Sequence, residues 1–179
     1  MRIISGKFRG RNILAPKNLP VRPTTDFGKT ALFNIINAHF DIPSLYVLDL
    51  FSGTGNITYE FLSREVNNIT CVDKDNGCVR FINETLKKLG ENTVPVIKAD
   101  VFKFLEAGSH SYDFIFADPP YELDAAADLC KLIFEKNLLN KNGWFVLEHE
   151  WGKDYSQLAH FIETRHYGKV AFSVFKQDL

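Results

Sequence analysis

Cysteine is scarce in this chain: Cys71, Cys78 and Cys130 are its only three, and no two form a Cys-x-x-Cys pair. An odd, scattered set builds neither a disulfide framework nor a zinc ribbon, and reads as reduced thiols acting as small apolar residues. Long hydrophobic runs are missing too. Stretches such as Phe114-Ile115-Phe116-Ala117 fall far short of the roughly 20 residues that span a bilayer. Arg2 is followed by only two apolar residues before Ser5, Gly6 and Lys7, which is no signal peptide. These absences argue against a secreted or membrane protein and predict a cytoplasmic one. There is no internal repeat and no low-complexity tract.

What is present suits one folded core: 179 residues, 45% hydrophobic and 24% charged. The net charge of −1 hides an asymmetry. Residues 1–30 carry Arg2, Lys7, Arg9, Arg11, Lys17, Arg22 and Lys29 against Asp26 alone, a net charge of +6, and the remainder carries −7. A cationic head on an acidic body predicts a polyanionic partner reached through the head. Edge protection of a hairpin would explain two or three of these charges. Six, with Phe8 interspersed for base stacking, fit nucleic acid better.

Residues 2–14 read as two short strands around Gly6 and Gly10, a basic hairpin arm. Pro16, Pro20 and Pro23 then make an extended connector, so that residues 1–24 form one unit and 25–179 the main domain. From Thr25 the apolar period becomes helical, with Ala31, Leu32, Ile35, Ile36 and His39 on one face and Thr25 or Asp26 as N-cap. Past Pro43, strands at 46–50, 68–72, 94–98, 112–117 and 144–148 alternate with helices at 56–63, 76–89, 101–106 and 123–134. Segments 161–167 and 170–175 around Gly168 read as a terminal antiparallel hairpin. The fold class is α/β, Rossmann-like, with a mostly parallel sheet and helices on both faces.

Two motifs carry chemistry. In Asp49-Leu50-Phe51-Ser52-Gly53-Thr54-Gly55 a buried strand ends in an acid, and a Gly-x-Gly turn opens a helix. Glycines there let the main chain approach a ligand at the helix N-terminus. Thr58 stands where the dinucleotide fingerprint has its third glycine, which weakens a nicotinamide or flavin reading. Asp73 ends the second strand, placed to accept from ribose hydroxyls, or else is a solvated turn acid. Asp100 ends the third, placed to accept from an adenine amino group, or else caps the following helix. Together these acids and the glycine turn describe a nucleoside pocket.

The second motif, Asp118-Pro119-Pro120-Tyr121, follows the fourth strand directly. Two prolines hold the chain extended and remove two N–H donors, leaving a carboxylate, a prolyl carbonyl and a ring. Two acceptors and a stacking face suit a planar group bearing NH₂, whose weakly nucleophilic nitrogen needs positioning. A rigid structural turn is the other reading. Gly28-Lys29-Thr30 is no P-loop, because Pro23 stands at the required glycine and no strand precedes it. Glu148-His149-Glu150 lacks metal-ligand spacing, so no metal is expected.

With these motifs in place, the chain resembles S-adenosylmethionine-dependent amino-group methyltransferases. Arg2-Ile-Ile-Ser-Gly-Lys-Phe-Arg-Gly-Arg, Leu19-Pro-Val-Arg-Pro-Thr-Thr-Asp26 and Ala31-Leu-Phe-Asn34 make it similar to the 16S rRNA guanine-N2 methyltransferases of the RsmD family. The resemblance implies a seven-stranded sheet whose last hairpin inserts one antiparallel strand. It implies S-adenosyl-L-methionine as cofactor, held by Asp49, Phe51, Gly53, Gly55, Asp73, Asp100 and Val101. Asp118, Pro119 and Tyr121 would face the target guanine, and Arg2, Lys7, Arg9, Arg11, Arg22 and Lys29 would hold RNA, within a partly or fully assembled small subunit. Phe27-Gly28-Lys29-Thr30 replaces the family's usual Arg-Val-Arg-Glu, leaving Lys29 as the cation there. Nothing demands a dimer, so a monomer is expected. An adenine-N6 methyltransferase, which would use the same tetrapeptide, and a non-catalytic RNA-binding assembly factor are the alternatives.

Overall fold

The computed structural model describes residues 1–16, 19, 25–121 and 123–177. Helix α1 (Asp26–His39) starts where the Thr25 hydroxyl accepts from the Gly28 amide at 3.1 Å, satisfying one of the unpaired donors of the first turn. Its buried face holds Leu32, Phe33, Ile35 and Ile36. His39, expected on that face, is exposed and leans its ring on Trp144.

Strand and helix then alternate: β1 (Tyr46–Leu50), α2 (Asn56–Ser63), β2 (Asn68–Asp73), α3 (Asn76–Leu89), β3 (Val96–Lys98), α4 (Val101–Ala107), β4 (Tyr112–Ala117), α5 (Ala126–Glu135), β5 (Leu139–Glu150), β6 (Phe161–Tyr167) and β7 (Val170–Lys176). The sheet order is β3-β2-β1-β4-β5-β7-β6. The first five strands run parallel, and β7 runs antiparallel between β5 and β6. This is the inserted reversed strand that the resemblance implied. Composition explains which member of the hairpin goes inside. The stretch Ala171–Phe175 in β7 is buried on both faces, whereas β6 carries Glu163 and Arg165 and takes the edge.

Strand alternation splits the core in two. Phe114, Phe116, Trp144, Val146, Phe172 and Val174 pack towards α1, α2 and α3, while Ile115, Ala117, Phe145, Leu147 and Phe175 pack towards α4 and α5. The strand order reverses between β1 and β4, so a crevice opens at the carboxyl ends of these two neighbours.

The basic arm differs from the expected pair of strands. Among the described residues a single antiparallel bridge, Arg2 to Asn12, closes it, and its apolar residues Ile3, Phe8 and Ile13 are buried in the first core. It docks on the end of α2: the Lys7 amide donates to the Ser63 carbonyl at 2.7 Å and the Phe8 amide to Ser63 Oγ at 2.9 Å. Gly6, at φ 82°, approaches so closely that a Cβ would stand 1.8 Å from the Ser63 carbonyl oxygen. Phe8 is therefore core, and is not free to stack on a base.

Some boundaries move. α5 begins at Ala126 because the chain after the two prolines first makes a turn, Leu123 N to Pro120 O at 2.9 Å. β5 begins early, at Leu139, and absorbs Asn142-Gly143 as an irregularity opposite 112–114, with Asn142 at φ 63°. β3 begins late, at Val96.

Candidate active site

Register places the two motifs side by side. Leu50 pairs with Val72 on one flank and Ala117 on the other, so Phe51 emerges between Asp73 and Asp118. After β1 the chain turns sharply: Phe51 stands at φ 55°, Gly53 at φ 53° and Gly55 at φ 76°. Ser52 Oγ secures this turn by donating to the Asp49 carbonyl at 2.7 Å and accepting from the Val72 amide at 3.1 Å. A Cβ on Gly55 would meet the Tyr59 ring at 2.7 Å, so only glycine starts α2 here.

Asp73 holds the turn from the second strand. One carboxylate oxygen accepts from the Gly53 amide and the other from the Asp75 amide, each at 2.8 Å. Asp75 in turn caps α3. Asp100 caps α4, one oxygen accepting from the Phe102 and Lys103 amides at 3.0 and 3.2 Å. A carboxylate offers about four lone-pair sites, so these caps leave both acids able to accept further hydrogen bonds.

Asp49 and Val101 are buried rather than open to a ligand. Asp49 is 1% exposed, and Thr58 Oγ1 donates to it at 2.5 Å. Burial pushes its carboxyl up to about 7 against the opposing pull of the Thr58 bonds, with the Asp73 charge adding to the rise. Thr58 thus occupies the third-glycine position without disturbing the packing, and supplies the acid's hydrogen bond. Val101 packs in the second core with Leu48 and Leu50. Phe51 and Phe102 approach edge to face at 6.4 Å, which adds a second ring to the β1–α4 side of the crevice.

Across the strand reversal, Asp118 and Tyr121 are half-buried and Pro119 is buried. The tetrapeptide packs beside the end of β5: Lys153 Nζ approaches the Tyr121 carbonyl at 3.5 Å, and Pro119, Pro120 and Tyr121 line a small hollow with Leu147, Glu148, His149 and Tyr155. His149 is bridged by the Ser173 hydroxyl and the Glu150 carbonyl, both at 2.8 Å, and burial lowers its pKa. Burial also pushes the Cys71, Cys78 and Cys130 thiols up to about 12, which keeps them protonated. Among the described residues no cluster could hold a metal ion, and no helix is long and apolar enough to cross a membrane.

The expected RNA-binding cations separate into two groups. Arg2 and Lys7 lie at the surface in ion pairs with Asp26 at 3.3 Å and Glu91 at 2.6 Å, while Arg9 and Arg11 are exposed. Surface pairs of this kind are weak and exchange readily. Lys29 is a correction: it is 0% exposed and cannot touch RNA. Its ammonium donates to Asn56 Oδ1 and Glu60 Oε1, each at 3.0 Å, and to the Arg2 carbonyl. Glu60, equally buried, also accepts from the Ile4 amide and from Arg64. A buried carboxylate needs a buried cation, and α1 presents one. Arg22 lies outside the described residues. Sequence reasoning missed the parts that Thr58, Glu60, Phe102 and Lys153 play. Only Phe102, two positions past Asp100, and Thr58, at the third-glycine position, stood near a recognised signal.

The family model described as conserved hypothetical protein 95 matches residues 1–176. Ribosomal RNA small subunit methyltransferase D of Buchnera aphidicola subsp. Baizongia pistaciae is 33% identical over 150 residues, covering 84% of this chain and 76% of that protein. The structure of a hypothetical protein of Thermus thermophilus aligns with a TM-score of 0.85 at 28% identity over 99% of both chains. A Streptococcus mutans protein, proposed to be a SAM-dependent methyltransferase, shares the fold alone. It has a TM-score of 0.65 at 17% identity, over 83% of this chain and 48% of that one.

Proposed function

Because this chain belongs to the conserved hypothetical protein 95 family, the RsmD family, we propose that it methylates the exocyclic N2 of a guanine in small-subunit ribosomal RNA. The broader part of this reading, S-adenosylmethionine-dependent methylation of rRNA, rests on the relatives' names. The observation that carries the rest is the register. Asp118-Pro119-Pro120-Tyr121 and the Gly53–Gly55 turn leave neighbouring strand ends, one pairing step beyond Leu50 and Ala117.

The residues present fit the cofactor. S-adenosylmethionine offers donors at its ammonium, ribose hydroxyls and adenine amino group, and the strand ends offer acceptors in Asp73 and Asp100. When bound, it supplies a methyl group on a positively charged sulfur. The chain's own part is to place the nitrogen that receives it. Asp118 and the Pro119 carbonyl accept the two N2 hydrogens and aim the lone pair into the crevice, while Tyr121 stacks on the base. Asp118 stabilises the positive charge that develops on the nitrogen, and the surplus proton leaves to Asp118 or to water. A base must leave its stack to reach this depth, at a cost of a few kcal/mol that is lowest in a loop. We place the reaction in the cytoplasm, on a partly or fully assembled subunit, with one chain sufficing.

The test is transfer of labelled methyl to small subunits from cells lacking this gene, followed by nucleoside analysis. N2-methylguanosine is the expected product, and N6-methyladenosine overturns the guanine assignment. Asp118→Ala should abolish transfer and leave S-adenosylmethionine affinity, read by calorimetry, within about twofold of wild type. A variant that folds yet loses the cofactor contradicts these roles.

A further inference from the structure

The D-P-P-Y loop and the N-terminal arm are joined by a series of rings and charged groups, among which Trp151 and Phe27 are the most exposed rings. From the Tyr121 carbonyl the path passes to Lys153, at 3.5 Å, and two residues back along the chain to Trp151, which is 59% exposed. The Trp151 amide donates to the Lys169 carbonyl, and its indole stacks on His166 at 3.9 Å with 23° between the planes. Tyr167 follows and meets Phe27 edge to face at 6.1 Å. Phe27 is 64% exposed and adjoins Asp26, the ion-pair partner of Arg2.

Trp151 and Phe27 are each supported from one side and more than half exposed, whereas Tyr167 is half-buried against Phe172. His166 braces the Trp151 indole, and Tyr167 braces Phe27. Nothing in the core requires either ring, because both stand at element ends: Trp151 directly after β5, Phe27 in the first turn of α1. Topology brings them together. β5 and β6 run the same way, and β7 starts where β6 ends, so Trp151 and the β6–β7 turn share the sheet edge where the catalytic motifs emerge. Exposed aromatics beside two lysines and an arginine have one economical partner, a single-stranded polynucleotide. Its bases stack on the rings while its phosphates meet Lys153, Lys169 and Arg2.

We propose that Trp151, Phe27 and Tyr167, with Lys153, Lys169 and Arg2, form a docking rim that stacks the unpaired nucleotides flanking the target base. This rests on the reading of the chain as an RNA methyltransferase and adds the face by which the RNA is held. The strand would run from the arm, over Phe27 and Trp151, to the Asp118 loop, which leaves the target base at the crevice and its neighbours on the rim.

The test uses the full chain and a single-stranded oligoribonucleotide of mixed sequence. The protein has two tryptophans and Trp144 is only 7% exposed, so quenching by stacked bases reports on Trp151. Fluorescence should fall on RNA addition in the wild type and stay unchanged in Trp151→Phe. Phe27→Ala and Trp151→Ala should each weaken binding roughly 5- to 150-fold, the range for one missing stacking ring, with S-adenosylmethionine affinity and thermal midpoint unaltered. Methyl transfer that persists in the double variant with unchanged RNA affinity overturns the rim while sparing the methyltransferase reading. Quenching without methyl transfer to subunits does the reverse. Variants that bind the free oligonucleotide normally but lose the assembled subunit show a protein partner on this face, and that also overturns the proposal.

Discussion

At the scale of single residues, two buried ionisable groups near the glycine turn are satisfied in different ways. Asp49 is held neutral by burial up to about pH 7, whereas an unfolded chain would ionise it near 3.8. Between those values the folded state binds the extra proton, so stability falls as pH rises from about 4 to 7 and levels off above. The full span corresponds to about 4 kcal/mol. Asp49→Asn removes this titration. Urea unfolding should show the variant gaining on wild type between pH 5 and pH 8, and parallel pH profiles would contradict a neutral Asp49. Lys29 instead has an oppositely charged partner, its Nζ standing 3.0 Å from Glu60 Oε1. Lys29→Met leaves the Glu60 carboxylate with Arg64 as its remaining cation and should cost about 3 kcal/mol. Lys29→Met with Glu60→Leu should recover part of that loss, while RNA salt dependence stays unchanged in both. The sequence could not show this pair, since thirty-one positions separate the two residues. Read by composition, a lysine in a basic head looks like a surface cation.

At the scale of elements, what is legible follows from local rules. The strands at 46–50 and 112–117 and the helices at 56–63 and 76–89 match their expected ranges. Their apolar periods are unbroken, and their ends carry caps such as Asp75 and the left-handed Gly90. In the arm, charge masks the apolar side. Ile3, Phe8 and Ile13 recur at about five-residue intervals, a period of neither strand nor helix, so only the docked turn explains them. Two glycines in that turn separate strain from crowding. Gly6 and Gly10 share φ near 80°, but a Cβ on Gly10 meets nothing within 4 Å. Gly10→Ala should cost about 1 kcal/mol for its left-handed backbone alone. Gly6→Ala should cost at least about 2 kcal/mol more by chemical denaturation, because its Cβ collides with the α2 terminus. Equal losses would mean the arm is free to move off Ser63.

At the scale of the whole molecule, the charge asymmetry has a spatial meaning. Met1 Sδ lies 3.5 Å from Thr54 Oγ1, so the cationic arm starts beside the glycine turn. Neutralising Arg2, Arg9 and Arg11 together should flatten the salt dependence of RNA binding by roughly 0.7 of a logarithmic unit for each phosphate left without its cation. An unaltered slope would remove the arm from the interface. The site's outline is readable because the acids, the glycine turn and D-P-P-Y each sit at a strand end, where chain order alone fixes position. The links between them, Thr58 to Asp49 and Lys153 to Tyr121, arise only from folding.

The strand inserted between β5 and β6 has a consequence during synthesis. A growing polypeptide exposes β6 before β7 exists, and among the described residues β6 has no strand neighbour until its successor arrives, since it pairs there with β7 alone. The earlier strands can assemble as they appear, whereas the closing pair must zip together first and dock as a preformed ribbon. Translation therefore leaves the β5 edge bare for an interval, and the rim bearing Trp151 takes shape only when that interval ends.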